Sequence, residues 1–188
     1  MHRLTIITAA VACLAQAPLA FSASQLYLET GVGGSQYSSS LSASTLNDAS
    51  VSPSAKVLIG SRLNHSPYAW FELMYNYNAK VSYANSAADL SSHMVSTGVK
   101  LTSAQTAPLS AFIRGGIGKV FLSPNSSSTI NKNQYYFGGG ISYRFANKSA
   151  LNVEYQKFII PDVDTDTNLN TFQIDSSAVY LTLKQDID

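Results

Sequence analysis

Hydrophobic and polar residues alternate at period two along most of the chain. Between Pro67 and Tyr77, one side carries Ala69, Phe71, Leu73, Tyr75 and Tyr77, and the other carries Tyr68, Trp70, Glu72, Met74 and Asn76. Successive side chains of a strand point to opposite faces, so this stretch predicts a strand with one wholly apolar or aromatic face. Seven more segments read as strands: Gln25–Tyr37, Ala55–Leu63, Ser92–Ser103, Leu109–Phe121, Gln134–Phe145, Ala150–Ile160 and Phe172–Leu183. Their apolar sides (Val57 and Ile59, Val95 and Val99, Ile113 and Ile117, Leu151 and Val153) lie opposite sides that carry glycine, charge and amide.

The connections sort by length. Ser38–Pro53, Lys80–Ser91, Ser123–Asn133 and Pro161–Asn170 are long and polar; Asn64–Ser66, Ala104–Pro108 and Asn147–Lys148 are short. Long and short alternate strictly, which predicts an all-β fold: an eight-stranded antiparallel up-and-down transmembrane β-barrel with its tight turns on one side of a membrane. A soluble barrel has no reason to sort its loops. Tyr68, Tyr75, Tyr77, Tyr135, Tyr143 and Phe145 near strand ends fit interfacial girdles. The apolar faces then meet lipid, and the glycines line a narrow interior.

Composition adds an address. Met1-His2-Arg3 is a basic start, Leu4 to Leu19 is apolar or small, and Ala20-Phe21-Ser22 follows with small residues at the peptidase positions. This predicts a cleaved signal peptide over 1–22 and a barrel over 23–188, with the sole cysteine, Cys13, inside the leader. Past the leader, no apolar run of about 18 residues could span a membrane as a helix. Charged residues are only 12% of the chain and nearly balanced, which excludes the basic stripe of a nucleic-acid binder. Export plus lipid-facing strands predicts the outer membrane of a Gram-negative bacterium.

Several strings resemble one family. Pro67-Tyr68, Phe71-Glu72 and Tyr75-Asn76-Tyr77, then Val99-Lys100-Leu101, Arg114-Gly115-Gly116, Gly138 to Tyr143, and Val153-Glu154-Tyr155-Gln156 fall in order where the OmpA transmembrane-domain family has similar strings. The resemblance covers the chain after the leader and implies an eight-stranded outer-membrane barrel with both termini in the periplasm. It also implies a lumen closed by two acids, a lysine and an arginine. Glu72 matches one acid and Lys100 the lysine, while Ser142 and Asn152 stand where the second acid and the arginine would be.

Counting from the short turns puts six charges inside the barrel half nearest those turns: Glu72, Lys100, Arg114, Glu154, Arg62 and Arg144. A narrow lumen solvates isolated charges poorly, so pairing is expected, Glu72 with Lys100 and Glu154 with Arg114. His93 with Ser96, or His65 with Ser66, lacks a converging acid, so no catalytic site is expected. Asp162, Asp164 and Asp166 mimic the start of a calcium loop without its turn glycine or closing Glu, so no metal site or cofactor is expected. The reading is a non-enzymatic barrel serving envelope integrity and surface contact. Expected partners are outer-membrane lipid and lipopolysaccharide, the assembly machinery reading Ser176 to Leu183, and a host or cell-surface ligand on the long loops. The alternatives are a narrow or gated channel and a soluble, lipocalin-like carrier with its apolar faces turned inward.

Overall fold

The computed structural model describes residues 25–39, 51–63, 66–82, 89–103, 108–124, 130–145, 148–164 and 171–187. They form eight strands: β1 (Leu26–Ser39), β2 (Ser52–Arg62), β3 (Ala69–Ser82), β4 (Asp89–Thr102), β5 (Leu109–Pro124), β6 (Ile130–Arg144), β7 (Ser149–Asp164) and β8 (Thr171–Ile187). Each pairs antiparallel with its sequence neighbours, and β1 closes on β8. Closure leaves no strand edge with unpaired backbone groups, a condition that lipid imposes on any spanning sheet.

The register fixes the shape of the wall. From Thr102 the paired residues run through Phe112, Gly140, Glu154, Tyr180, Gly33, Ser54 and Asn78, and return to the starting strand at Ser92. The offset is 102 − 92 = 10 residues. With a rise of ~3.3 Å per residue and ~4.8 Å between strands, eight strands at that offset tilt by about 40°. A barrel of this size has room for side chains and little else.

The faces are sorted with the apolar side out. Phe71, Ile113 and Phe137 are 41%, 62% and 52% exposed, whereas Glu72, Lys100, Arg114 and Glu154 are 0%, 3%, 3% and 2% exposed. This overturns the inward-facing arrangement of a soluble carrier. Outward residues from Phe145, just past the end of β6, run back along the strand through Tyr143, Ile141, Gly139, Phe137 and Tyr135 before Asn133 and Asn131. Ten residue steps at that tilt span about 25 Å, the height of a transmembrane barrel's apolar band.

Strand ends differ from the sequence expectation on the side of the long connections. β4 starts at Asp89, β6 at Ile130, and β5 and β7 run on to Pro124 and Asp164, so the loops are shorter than their polar sequences suggest. Backbone pairing continues past the lipid band, in unbroken register between β4 and β5 and between β5 and β6, and across a register shift between β3 and β4 and between β7 and β8. β8 likewise continues through Lys184 to Ile187 instead of ending at Leu183. Residues 1–24, and with them the expected leader, lie outside the described residues, as do 40–50, 83–88, 125–129 and 165–170.

Candidate functional site

Six strands each send one charged side chain to a common centre: Glu29 from β1, Lys56 from β2, Glu72 from β3, Lys100 from β4, Arg114 from β5 and Glu154 from β7. All are buried. Arg114 is the hub. Its Nη2 lies 3.1 Å from Glu29 Oε2 and 3.0 Å from Glu154 Oε2, and its Nη1 lies 3.5 Å from Glu72 Oε2. Lys56 Nζ approaches Glu29 Oε1 at 3.0 Å and donates to Glu154. Lys100 Nζ stands 3.6 Å from Glu29 Oε2. Tyr27 donates its hydroxyl to Glu72, and Thr182 donates to Glu29 at 2.9 Å while accepting from Asn152 at 3.0 Å.

Three carboxylates therefore meet three cations, and the tier is neutral. Neutrality matters because a lone charge in a narrow lumen keeps much of its desolvation cost. Carried around the tilted wall, the register sets Glu29, Glu72, Lys100, Arg114 and Glu154 within roughly 5 Å of one level. Lys56 reaches down from roughly 7 Å above. That level is near the middle of the apolar band and in the half of the barrel beside the short turns, as counting from those turns predicts for Glu72, Lys100, Arg114 and Glu154.

Glycines make room for these long side chains. Glu72 lies in register between Gly60 and Gly98, Arg114 beside Gly138, Glu154 beside Gly140, and Lys56 beside Gly31. A Cβ on Gly60 would strike the Tyr27 ring, and one on Gly98 would strike the Tyr136 hydroxyl and the Gly115 carbonyl.

Four of the six sequence candidates, Glu72, Lys100, Arg114 and Glu154, share the tier. Arg62 and Arg144 lie below it, at the mouth framed by the short turns; Arg62 covers the Trp70 ring at 5.2 Å from its centroid, and Arg144 lines a small cavity there. Glu72 and Lys100 are engaged elsewhere than with each other, Glu72 by Arg114 and Tyr27, Lys100 by Glu29. The register explains it, since Lys100 pairs with Trp70 and lies beside Arg114 on β5. Two cations side by side need a shared acid, and Glu29 supplies it. Glu29 and Lys56 are the residues the sequence did not single out. Alternation already put both on the inner face; their level depends on pairing across the barrel.

Towards the other mouth the lumen is filled. Gln134 donates to Ser96 at 2.8 Å, and Asn78 donates to Tyr37 at 3.0 Å and to Ser92 at 3.2 Å. Met74, Met94, Val120, Leu122, Phe158, Ile160 and Ile174 pack around these groups, all buried. His93 and Ser96 point to opposite sides of the wall: Ser96 into the lumen, His93 outward, hydrogen bonded to Tyr75 at 2.7 Å. His65 lies outside the described residues, as do the Asp162, Asp164 and Asp166 side chains.

Residues 6–179 match the family described as outer membrane protein beta-barrel domain. Among solved structures, Neisserial surface protein A is similar with a TM-score of 0.68 at 16% identity, over 86% of this chain and 97% of that one. Outer membrane protein OprG of Pseudomonas aeruginosa is similar with a TM-score of 0.55 at 10% identity, over 87% and 96%. The N-terminal barrel domain of OprF from the same organism gives 0.50 at 11% identity, over 85% and 98%. No curated protein matches the chain by sequence.

Proposed function

This chain belongs to the outer membrane protein beta-barrel domain family of the Gram-negative outer membrane, and on that footing we propose that it is a non-catalytic, non-conducting barrel. In this reading it reinforces the envelope through its wall and makes contacts at its outer end. The observation that carries the reading is the occupied lumen. A neutral ion-pair tier crosses it at the middle of the apolar band, and amides and apolar side chains pack above that tier. Below the tier, the cavity at the turn-side mouth measures about 20 Å³, room for one water-sized species. Among the described residues, this packing is what supports the non-conducting reading. Reconstituted in planar bilayers, the barrel is expected to give no discrete current steps; steady unitary steps from wild-type protein would instead support the channel reading.

The outer contacts belong to the segments between β1 and β2, β3 and β4, β5 and β6, and β7 and β8. Their Ser, Thr and Asn content suits hydrated exposure. In this reading the outer wall meets lipopolysaccharide, and β8 is what the assembly machinery reads. Deleting 41–49 and 166–169 is expected to reduce adhesion of expressing cells to host-cell or matrix surfaces while the heat-modifiable gel shift persists. Unchanged adhesion with a folded barrel rejects surface contact as the role.

A further inference from the structure

We infer that the outer rim of the wall over β4, β5 and β6 holds a phosphate of lipid A, the membrane anchor of lipopolysaccharide, and that Lys119 is the group that takes it. This rests on the reading that the outer wall meets lipopolysaccharide, and gives that contact a place and a chemistry. On β6 the apolar band ends at Tyr135, and the next outward residue is Asn133. Lys119 stands directly opposite Asn133, on β5, with Ile117 below it on the same face. Its ammonium therefore sits where hydrocarbon gives way to headgroups. The rim is on the side of the long connections, the side of the lipopolysaccharide leaflet.

Charge singles out this part of the rim. Lys119 is exposed, and among the described residues no carboxylate lies within ion-pair distance of it. No described side chain on the outward face of β3, β4, β5 or β6 is acidic. The comparable lysine on the other side, Lys157 of β7, has Asp175 Oδ2 at 2.8 Å and is neutralised there. Donors and rings surround Lys119. Asn133 is its cross-strand neighbour and Asn131 lies one outward position further along β6, both exposed. His93 is diagonal to it on β4, about 7–8 Å away between Cα atoms. The Tyr75 hydroxyl is 2.7 Å from His93 Nδ1, and the Tyr77 ring lies 5.0 Å from the imidazole, so the aromatic shelf beside Lys119 is held in place. Rings with one apolar and one wet edge belong at the headgroup level. The site is open to water and neither shields nor sieves its ligand; a membrane lipid asks for neither. Acyl chains confine lipid A to the bilayer and present its phosphates at this height, at an effective concentration far above that of a free anion. The lysine then acts as a point charge on the phosphate, and the asparagine amides add neutral donors.

The test titrates lipid A into the detergent-solubilised barrel and counts bound lipid by native mass spectrometry. Wild type is expected to bind the bisphosphorylated lipid about fivefold more tightly than the same lipid stripped of both phosphates, the contribution of one lysine at an anionic surface. Lys119→Gln is expected to lose that preference, and Lys157→Gln to keep it. The comparison of the two lipids on wild type needs no variant to fold. A preference that survives in Lys119→Gln, equal losses in both variants, or lipid A bound by wild type without regard to its phosphates would each overturn the site and leave the wall's contact with lipopolysaccharide standing. Displacement of the lipid by millimolar inorganic phosphate would assign the site to a free anion and overturn it likewise. If wild type retains neither form of lipid A, the site and the contact fall together.

Discussion

Replacing Arg114 by Met is expected to destabilise the barrel by about 3–5 kcal/mol, the usual cost of removing one partner from a buried ionic cluster. Methionine keeps most of the volume and loses the charge. Glu29, Glu72 and Glu154, now 3.1, 3.5 and 3.0 Å from the guanidinium, would be left with Lys56 and Lys100 alone. One carboxylate is then unmatched in the middle of the barrel. Adding Glu72→Gln restores equal numbers, so the double variant should recover part of the loss, with a coupling of about 0.5–3 kcal/mol. Arg62→Met makes the same chemical change at the mouth, where the group faces the Trp70 ring, and should cost only about 0.5–1 kcal/mol. Urea titration in vesicles, followed by gel mobility and by the fluorescence of Trp70, the chain's single tryptophan, measures all three. An Arg114→Met barrel within 1 kcal/mol of wild type would mean that water screens the tier and that the lumen is wetter than its packing indicates.

The inner faces of β1 and β2 show how far alternation carries and where it stops. Period two assigns Glu29 and Lys56 to the same side as Tyr27 and Leu58 without any knowledge of pairing. Nothing local says that Glu29 ends beside Arg114, 85 residues away, because that contact depends on a ten-residue offset accumulated over eight ladders. Family resemblance pointed to Ser142 as the place of a missing acid. The acid comes instead from β1, and Asn152, standing where an arginine would be, supports it through Thr182. Strand ends were the other illegible feature. Lys184 reads as a polar tail after Leu183, yet its even position continues Ser176, Ala178, Tyr180 and Thr182 into the lumen. Polar composition marks a segment as hydrated, and a paired strand above the lipid band is as hydrated as a loop.

Leu181→Arg, on the outer face, is expected to cost about 2–4 kcal/mol in lipid. Along β8 the outward residues are Gln185, Leu183, Leu181, Val179 and Ser177, so Leu181 is centred between the two polar ends of the run. It is 49% exposed, and what it meets there decides the sign of the change. In hydrocarbon the guanidinium must climb along its own stem towards the headgroups, dragging water with it. In water the same replacement on an exposed strand would fall within about 0.5 kcal/mol of neutral. Asn131→Arg, above the band on β6, provides the internal comparison and should cost about 0–1 kcal/mol. Vesicle-based urea titrations of the two variants thus read the depth of the wall in the bilayer directly. Equal, small costs at both positions would show that the apolar exterior does not sit in lipid, and the outward reading of every strand would go with it.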